Sequence, residues 1–389
     1  MGKQEMNDVE KYVVHCRREI HRNPELSFKE FETARFIENE LRKLGIKFSR
    51  IAGTGIVADI AGKLPGIVVA LRADMDALPI KEESGENFAS KNVGVMHACG
   101  HDAHVAMLLG VCKMAMESGE RFSGTIRIIF QPGEESPPGG AVKLIEKGVL
   151  EGVKYIIGQH VLSTMPAGTV GINYGMGAAY TDDFKVTFTG RGGHGSRPHE
   201  TSDVLLAASI YTILCQTVIS RMIDQTKPAV LTFGTFHSGD RENIISSKSE
   251  LSGTVRTYDV AVRDKIQGEM RALHRQIKSI YKCKGTFEYK IGYPALINNS
   301  QLAHIVEKVA MDLLGKERVI SIDPSMGGED FAYYLQRVPG CFYRLGVGNE
   351  RKGIVAPQHS KEYRIDENAL IVGTEIMFKS ALALLAINP

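Results

Sequence analysis

Residues 181–222 read TDDFKVTFTGRGGHGSRPHETSDVLLAASIYTILCQTVISRM, and the change of texture here decides the architecture. Asp183–Thr189 carries FKVTFT with apolar and polar residues in alternation, the period of a half-buried strand. The run 203–222 reads as one long helix. Two strands at 228–236 and 250–257, a helix at 260–281 and a strand at 286–292 follow. The order β-α-β-β-α-β is a ferredoxin-like α+β unit, complete in about 110 residues, which predicts a domain inserted over 181–293.

Outward from the insert the pattern differs. Helical spacing runs over 8–20 and 28–44, where Phe28, Phe31, Phe36, Ile37, Leu41 and Leu44 mark one face and Gly45 is a natural stop. Short apolar or alternating runs occur at Gly55–Ala61, Gly66–Ala73, Thr125–Phe130, Tyr155–Ile157 and Gly168–Asn173, with helical stretches at 103–118 and 139–147. Interleaving of this kind predicts an α/β domain around a largely buried sheet. The pattern resumes with a helix at 300–314, a segment at 329–337, a strand at Cys341–Leu345 and a helix at 366–386. The expected organisation is a discontinuous α/β domain, 1–180 and 294–389, interrupted by 181–293.

The 47 Lys+Arg nearly balance the 45 Asp+Glu, which argues against a nucleic-acid binder with a basic surplus on one face. The longest uninterrupted apolar run, Ala381 to Ile387, is far short of the ~20 residues of a bilayer span. Residues 1–20 are studded with charge and show no apolar core of a signal peptide. The six cysteines are irregularly spaced with no C-x-x-C, so neither a disulfide framework nor a zinc ribbon is indicated. These features predict a cytoplasmic protein that binds neither membrane nor nucleic acid.

The chemistry concentrates in Met96-His97-Ala98-Cys99-Gly100-His101-Asp102-Ala103-His104. One cysteine, three histidines and an aspartate in nine residues are ligand types that divalent transition metals prefer. In an extended stretch before a helix, Cys99 and His101 point the same way, and Asp102 suits a helix start. Phe130-Gln131-Pro132-Gly133-Glu134-Glu135 follows a strand, placing two carboxylates where open α/β sheets hold ligands. Adjacent side chains diverge, so one carboxylate can coordinate a cation while the other accepts a proton from water. His160 and His359 are isolated histidines near strand ends, a type more often structural than ligating. Asp74 and Asp76, in Arg72-Ala73-Asp74-Met75-Asp76, share one side of a strand and could orient ligand histidines; a plain charged strand end reads equally well. In the insert, Gly190–His199 is a glycine-rich turn with His194 and His199, and Arg256 on a later hairpin could grip a carboxylate.

Taken together, HRNPELSFKEFETA (21–34), ALRADMDALPI (70–80), MHACGHDAHVAMLLG (96–110), FQPGEES (130–136), GGHGSRPHE (192–200) and MGGEDFAYY (326–334) resemble the aminoacylase, hippurate hydrolase and indole-acetyl-amino-acid hydrolase branch of a dinuclear metallopeptidase family. Glutamate carboxypeptidases are more distant members. The resemblance runs nearly end to end. It implies a zinc-exopeptidase-like catalytic domain with a mixed sheet, two divalent ions per subunit (Zn, Mn, Co or Ni), and an inserted lid that also dimerises, in a homodimer or homotetramer. It implies Cys99, His101, Glu135, His160 and His359 as metal ligands, Cys99 bridging, and Glu134 as general base. It also implies His194 as a lid histidine that steadies the oxyanion of the neighbouring subunit's site, and Asn243, Arg256 and Gly328 as substrate-binding positions. Asp74 would act behind the ligands. Distant relatives carry a ligand His-x-Asp where this chain has Arg72-Ala73-Asp74, so His101 would replace that histidine. Gly133 stands where alanine is usual, and Gln358 precedes His359 in a variable region.

The expected activity is hydrolysis of the amide bond of N-acyl-L-amino acids, with a metal-activated water and Glu134 as base. A metallocarboxypeptidase acting on peptides or N-blocked dipeptides and an N-acetyldiaminopimelate deacetylase are the enzymatic alternatives. A non-catalytic metal-binding protein is the alternative of another class, which five candidate ligands and a spare glutamate disfavour.

Overall fold

The alternating runs outside the insert form one mixed eight-stranded sheet in the computed structural model, which describes residues 7–118 and 122–387. Its order is Phe48–Ile51, Gly55–Ala61, Ser123–Gln131, Leu64–Asp74, Val153–Pro166, Gly340–Gly348, Val170–Ile172 and Val319–Ser321. Strands Ser123–Gln131, Leu64–Asp74, Val153–Pro166 and Gly340–Gly348 run parallel to one another. Their carboxyl ends therefore lie at one edge, where Asp74, Gln131 and the Pro132–Glu135 turn emerge together. Such strands are buried on both faces and read as near-continuous apolar runs; Val69–Leu71 and Ile128–Phe130 are fully buried.

The helix His101–Glu117 crosses the middle of this unit and is buried nearly all round, as expected of a helix apolar on every side. Helices Asp8–Arg22 and Leu370–Ile387 pack against it. Asn7 caps the first of these by accepting the Glu10 N–H at 2.8 Å. Arg17 on that helix reaches Asp102 in the first turn of His101–Glu117, Nε to Oδ2 2.8 Å, with both side chains buried.

The chain divides into two compact units. The larger comprises Met1–Gly177, Ile297–Asp323 and Asp330–Pro389; the smaller comprises Ala178–Leu296 and Pro324–Glu329. The smaller unit is an antiparallel sheet of order Ala229–Ser238, Lys248–Thr257, Tyr180–Thr189, Phe287–Ile291, with helices Val204–Thr217 and Val260–Ile280 packed on it. This is the ferredoxin-like arrangement. Phe184, Val186 and Phe188, the apolar half of FKVTFT, meet Tyr211, Ile266 and Met270 in a second core. Asp203 and Asp259 cap the two helices, accepting the N–H groups of Leu206 and of Ala261 and Val262.

Three local expectations change. The helix expected over 28–44 begins at Phe31, because Phe28 sits at φ 63° in the left-handed region. The strand expected to end at Ile157 continues to Pro166 through Gly158. Glycine is required there: a Cβ on Gly158 would lie 2.6 Å from the Phe342 ring and 2.7 Å from that of Phe331. Finally, Val204–Met222 and Glu367–Ile387 are long and apolar enough, by composition, to cross a membrane, which a search for uninterrupted runs overlooks. Leu370, Ile376, Met377, Ala381 and Leu384 of the second are buried in the larger core. The first buries Val204, Ala207, Ala208 and Tyr211 in the smaller core and exposes Leu205, Leu206 and Ile213. Of the charged stretch read at 1–20, residues 1–6 lie outside those described.

Arg17→Met removes the counter-charge of a buried aspartate. Breaking such a pair costs about 3–5 kcal/mol, so chemical denaturation should show a loss of that size; a loss below about 1 kcal/mol would contradict the role given to this pair.

Candidate metal centre

The turn Ala98–Cys99 is not extended. Gly100, at φ 86°, swings the chain directly into the helix that begins at His101. A Cβ on Gly100 would meet Val161 Cγ2 at 2.4 Å and the Tyr363 hydroxyl at 2.9 Å, so only glycine lets the turn press against the strand carrying His160. Cys99 Sγ then lies 3.4 Å from His160 Nε2. His160 sits inside the long strand and not near its end. The His359 N–H donates to the Ala98 carbonyl at 2.8 Å, bringing His359, at φ 63°, to the same turn.

Donor atoms converge in overlapping groups, each within 4.8 Å: Cys99, His101 and His160; Cys99, Glu135 and His359; His101, Glu134 and Glu135. All five residues read as ligands, and the residue read as base, are thus gathered. The glutamates do not diverge as adjacency suggested, since both carboxylates reach His101. His359 Nε2 is 3.2 Å from Glu135 Oε1, yet that oxygen is buried without an aligned hydrogen bond.

The hydrogen bonds sort the histidines by what they can do. A carbonyl only accepts, so His101 Nδ1 donates to the Asp76 carbonyl at 2.9 Å and His160 Nδ1 donates to the Val161 carbonyl at 2.8 Å. Each ring is left presenting Nε2, and His101 Nε2 is buried with no hydrogen-bond partner among the described residues, Asp74 Oδ2 standing 3.7 Å away. Fixing one ring nitrogen to an oxygen acceptor is how proteins prepare the other as a ligand. His104 is different, although it lies within 4.8 Å of Asp74 and His101. Its Nε2 accepts the Val161 N–H at 3.0 Å and its Nδ1 donates to Asp74 at 2.5 Å, so both nitrogens are committed. Burial lowers its basicity more than Asp74 restores it, which suits this neutral form.

Asp74 ends its strand and binds Arg72 Nη1 at 2.7 Å as well as His104; Asp76 lies beyond the strand. Burial would raise the Asp74 carboxyl, but Arg72 and the two histidines hold it well below the usual range. Arg72 is itself buried and binds Asp330 at 2.7 Å and Gln131 at 2.9 Å. Asp76, read with Asp74 as able to orient ligand histidines, meets His101 Nδ1 through its carbonyl at 2.9 Å and its Oδ1 at 3.3 Å, and its carboxylate also accepts the N–H groups of Glu134 at 3.1 Å and Glu135 at 3.0 Å and the Ser27 hydroxyl at 2.6 Å. The ring of Phe28 explains Gly133: a Cβ there, at φ 66°, would lie 2.5 Å from it.

The donor set fits divalent transition metals. Sulfur, imidazole and carboxylate are combined, a buried imidazole nitrogen makes no hydrogen bond, and burial pushes the Cys99 thiol up to about 12, a penalty that coordination would reverse because a ligating thiol is deprotonated.

The remaining sequence-predicted residues belong to the smaller unit. His194 is exposed, its Nδ1 accepting from Ser196 at 2.9 Å. Ile244 pairs with His194, and Gly195 donates to the Asn243 carbonyl at 2.8 Å, so His194 and Asn243 share one ribbon. Arg256 pairs with Thr181 across the sheet, and Gly328 packs where a Cβ would lie 2.9 Å from Thr181.

Residues 70–383 match the family described as peptidase family M20/M25/M40. The chain belongs to this family. It is 42% identical to thermostable carboxypeptidase 2 of Saccharolobus solfataricus over 391 residues, 99% of this chain and 97% of that protein. It is 39% identical to N-acetyl-L-cysteine deacetylase of Bacillus subtilis, across 98% of this chain and 90% of the relative. The crystal structure of the Bacillus subtilis YXEP protein, a dinuclear metal binding peptidase of family M20, superposes with a TM-score of 0.84 at 32% identity, covering 97% of this chain and 99% of that one. This M20 chain is a metal-dependent amidohydrolase.

Gly100→Ala forces a side chain into the left-handed region and against Val161. The backbone strain alone costs about 1–3 kcal/mol, and the Cys99 turn must shift. Denaturation and metal titration should both register the change; a variant with unaltered stability and metal uptake would contradict the close approach.

Proposed function

We propose that the M20 chain hydrolyses N-acyl-L-amino acids, with Cys99, His101, Glu135, His160 and His359 holding two divalent ions and Glu134 as general base. The observation that carries this reading is the convergence of these six side chains, His359 the exposed one among them, with His101 Nε2 buried and making no hydrogen bond. Divalent ions in such a cage acidify water and polarise a carbonyl oxygen. Glu134, buried at the edge of the group and held through its N–H by Asp76, takes the proton of the attacking water. It returns that proton to the departing amine, so that water and amide give a carboxylate and a free amino acid. Asp74 steadies the set through His104, and Arg72 keeps Asp74 ionised.

In the smaller unit we assign His194 to the oxyanion and Asn243, Arg256 and Gly328 to the substrate carboxylate. The Arg256 guanidinium is half-buried and its basicity is lowered by that burial, which suits a group awaiting an anion. We keep the catalytic and lid domains at 1–180 with 294–389, and 181–293, except that Pro324–Glu329, with Gly328, is assigned to the lid. Exposed Leu205, Leu206 and Ile213 support assembly into a homodimer or homotetramer. Six free cysteines support a reducing, cytoplasmic setting. Peptide trimming is the second reading, favoured by the 42% identity to a carboxypeptidase.

Glu134→Gln should keep bound metal and lose at least ~10²-fold in kcat, the low end for a positioned base; near-normal turnover with metal bound would remove the assignment. Turnover of N-acetyl amino acids set against N-blocked dipeptides, in zinc-, manganese- and cobalt-loaded protein, decides the substrate class. Higher kcat/KM on the acetyl compounds is expected, and the reverse order would establish the peptidase. Adding metal to stripped protein at 100 times Kd should raise unfolding free energy by about 2.7 kcal/mol; in His101→Ala no comparable shift is expected.

A further inference from the structure

The catalytic turn is gripped by a carboxylate that no step of this chemistry uses. Glu30 is fully buried. One of its oxygens accepts the Gly133 N–H at 2.9 Å and the Phe28 N–H at 2.8 Å; the other accepts the Thr54 hydroxyl at 2.7 Å. With Asp76 on the next two amides, three successive N–H groups, of Gly133, Glu134 and Glu135, are each held by a buried acid. Consecutive amides of this kind form a concavity that attracts anions, and here two acids of the protein fill it.

We propose that Glu30 is a positioning residue for hydrolysis, which fixes the main chain of the turn so that Glu134 sits where a water proton can be taken. This rests on Glu134 being the general base. The connection is short: Gly133 is the residue before Glu134, and the Phe28 ring packs where its Cβ would be. Glu30 therefore ties the 25–30 segment, the Thr54 turn and the catalytic turn into one rigid piece. Burial raises its carboxyl to about 7, so the site holds this acid at a cost that a merely structural apolar residue would avoid. Small displacements of a reacting group are expensive, about 10²-fold in rate for ~1 Å.

The test uses full-length, zinc-loaded protein and N-acetyl amino acid substrates. Glu30→Met, which leaves two amides unpaired, should lower kcat at least about 10-fold with KM and bound zinc within about twofold. Glu30→Gln keeps a carbonyl oxygen for both amides and should restore kcat to within about threefold of the parent. Undiminished kcat in Glu30→Met overturns the proposal, as does zinc loss that tracks the loss of rate. If Glu30→Met does not fold, Glu30→Asp decides: it keeps the charge but is too short to reach all three donors. A fall in kcat of about fivefold or more at constant KM supports the proposal, and no fall overturns it. Glu134→Gln is run beside these. If it turns over normally, the base assignment falls and takes this role with it; if it is inactive while Glu30→Met is unimpaired, only the role of Glu30 falls.

Discussion

A buried imidazole nitrogen that makes no hydrogen bond is costly, and His101 Nε2, 3.7 Å from the nearest Asp74 oxygen, is one. The remainder of the larger unit's chemistry follows from how that cost is met. Asp76 fixes the other nitrogen of the ring, Gly100 brings the ring's neighbour Cys99 against the strand of His160, and Glu135 keeps a buried oxygen without an aligned hydrogen bond. None of these atoms finds full compensation among the described residues. A cation bound there, as proposed, would satisfy all of them at once and would stabilise the thiolate that burial otherwise disfavours. Metal uptake would in this sense add to the stability of the fold.

Around this cage of donors the protein builds rigid support from other buried charges. Asp102 is pinned by Arg17 and by His21, Nδ1 to Oδ2 2.7 Å. Burial alone would raise the Asp102 carboxyl, but those two groups hold it far below its usual value. Asp74 is pinned by Arg72 and His104, and Asp330 accepts from Arg72, Gln131 and the Ala141 N–H. Buried ion pairs of this sort add little net stability, so their value lies in geometry: each fixes the start of the helix, the end of a strand or the turn after it. The helix start and the turn carry Cys99, His101, Glu134 and Glu135, four of the side chains proposed for the metal centre.

Most of the architecture was legible in the sequence because periodicity reports burial directly. FKVTFT sends Phe184, Val186 and Phe188 inward as the alternation demands, and the helix after it carries its Asp203 cap. The misjudged elements are ones where tertiary contact overrides local preference. Gly158 reads as a strand end, but two aromatic rings need its bare Cα; Phe28 reads as helical, but its ring is required against Gly133. The membership in family M20 and the mixed-sheet architecture with an inserted ferredoxin-like unit stand as read. Cys99, His101, Glu134, Glu135, His160 and His359 lie together by a path the motifs did not suggest, through a left-handed turn at Gly100 and not an extended strand. Glu30 and the distinct work of Asp76 were not legible, because a single acid near a helix or strand end looks like any solvated charge. Only the long-range bonds to amides 58 to 103 positions away reveal it.

The most direct measurement is X-ray absorption at the metal edge of zinc-loaded protein, with Cys99→Ala as its control. The account predicts two zinc ions per chain, with nitrogen and oxygen scatterers near ~2.0–2.2 Å and a sulfur scatterer near ~2.3 Å that vanishes in the variant. A shell without sulfur, or a spectrum unchanged by Cys99→Ala, would contradict it.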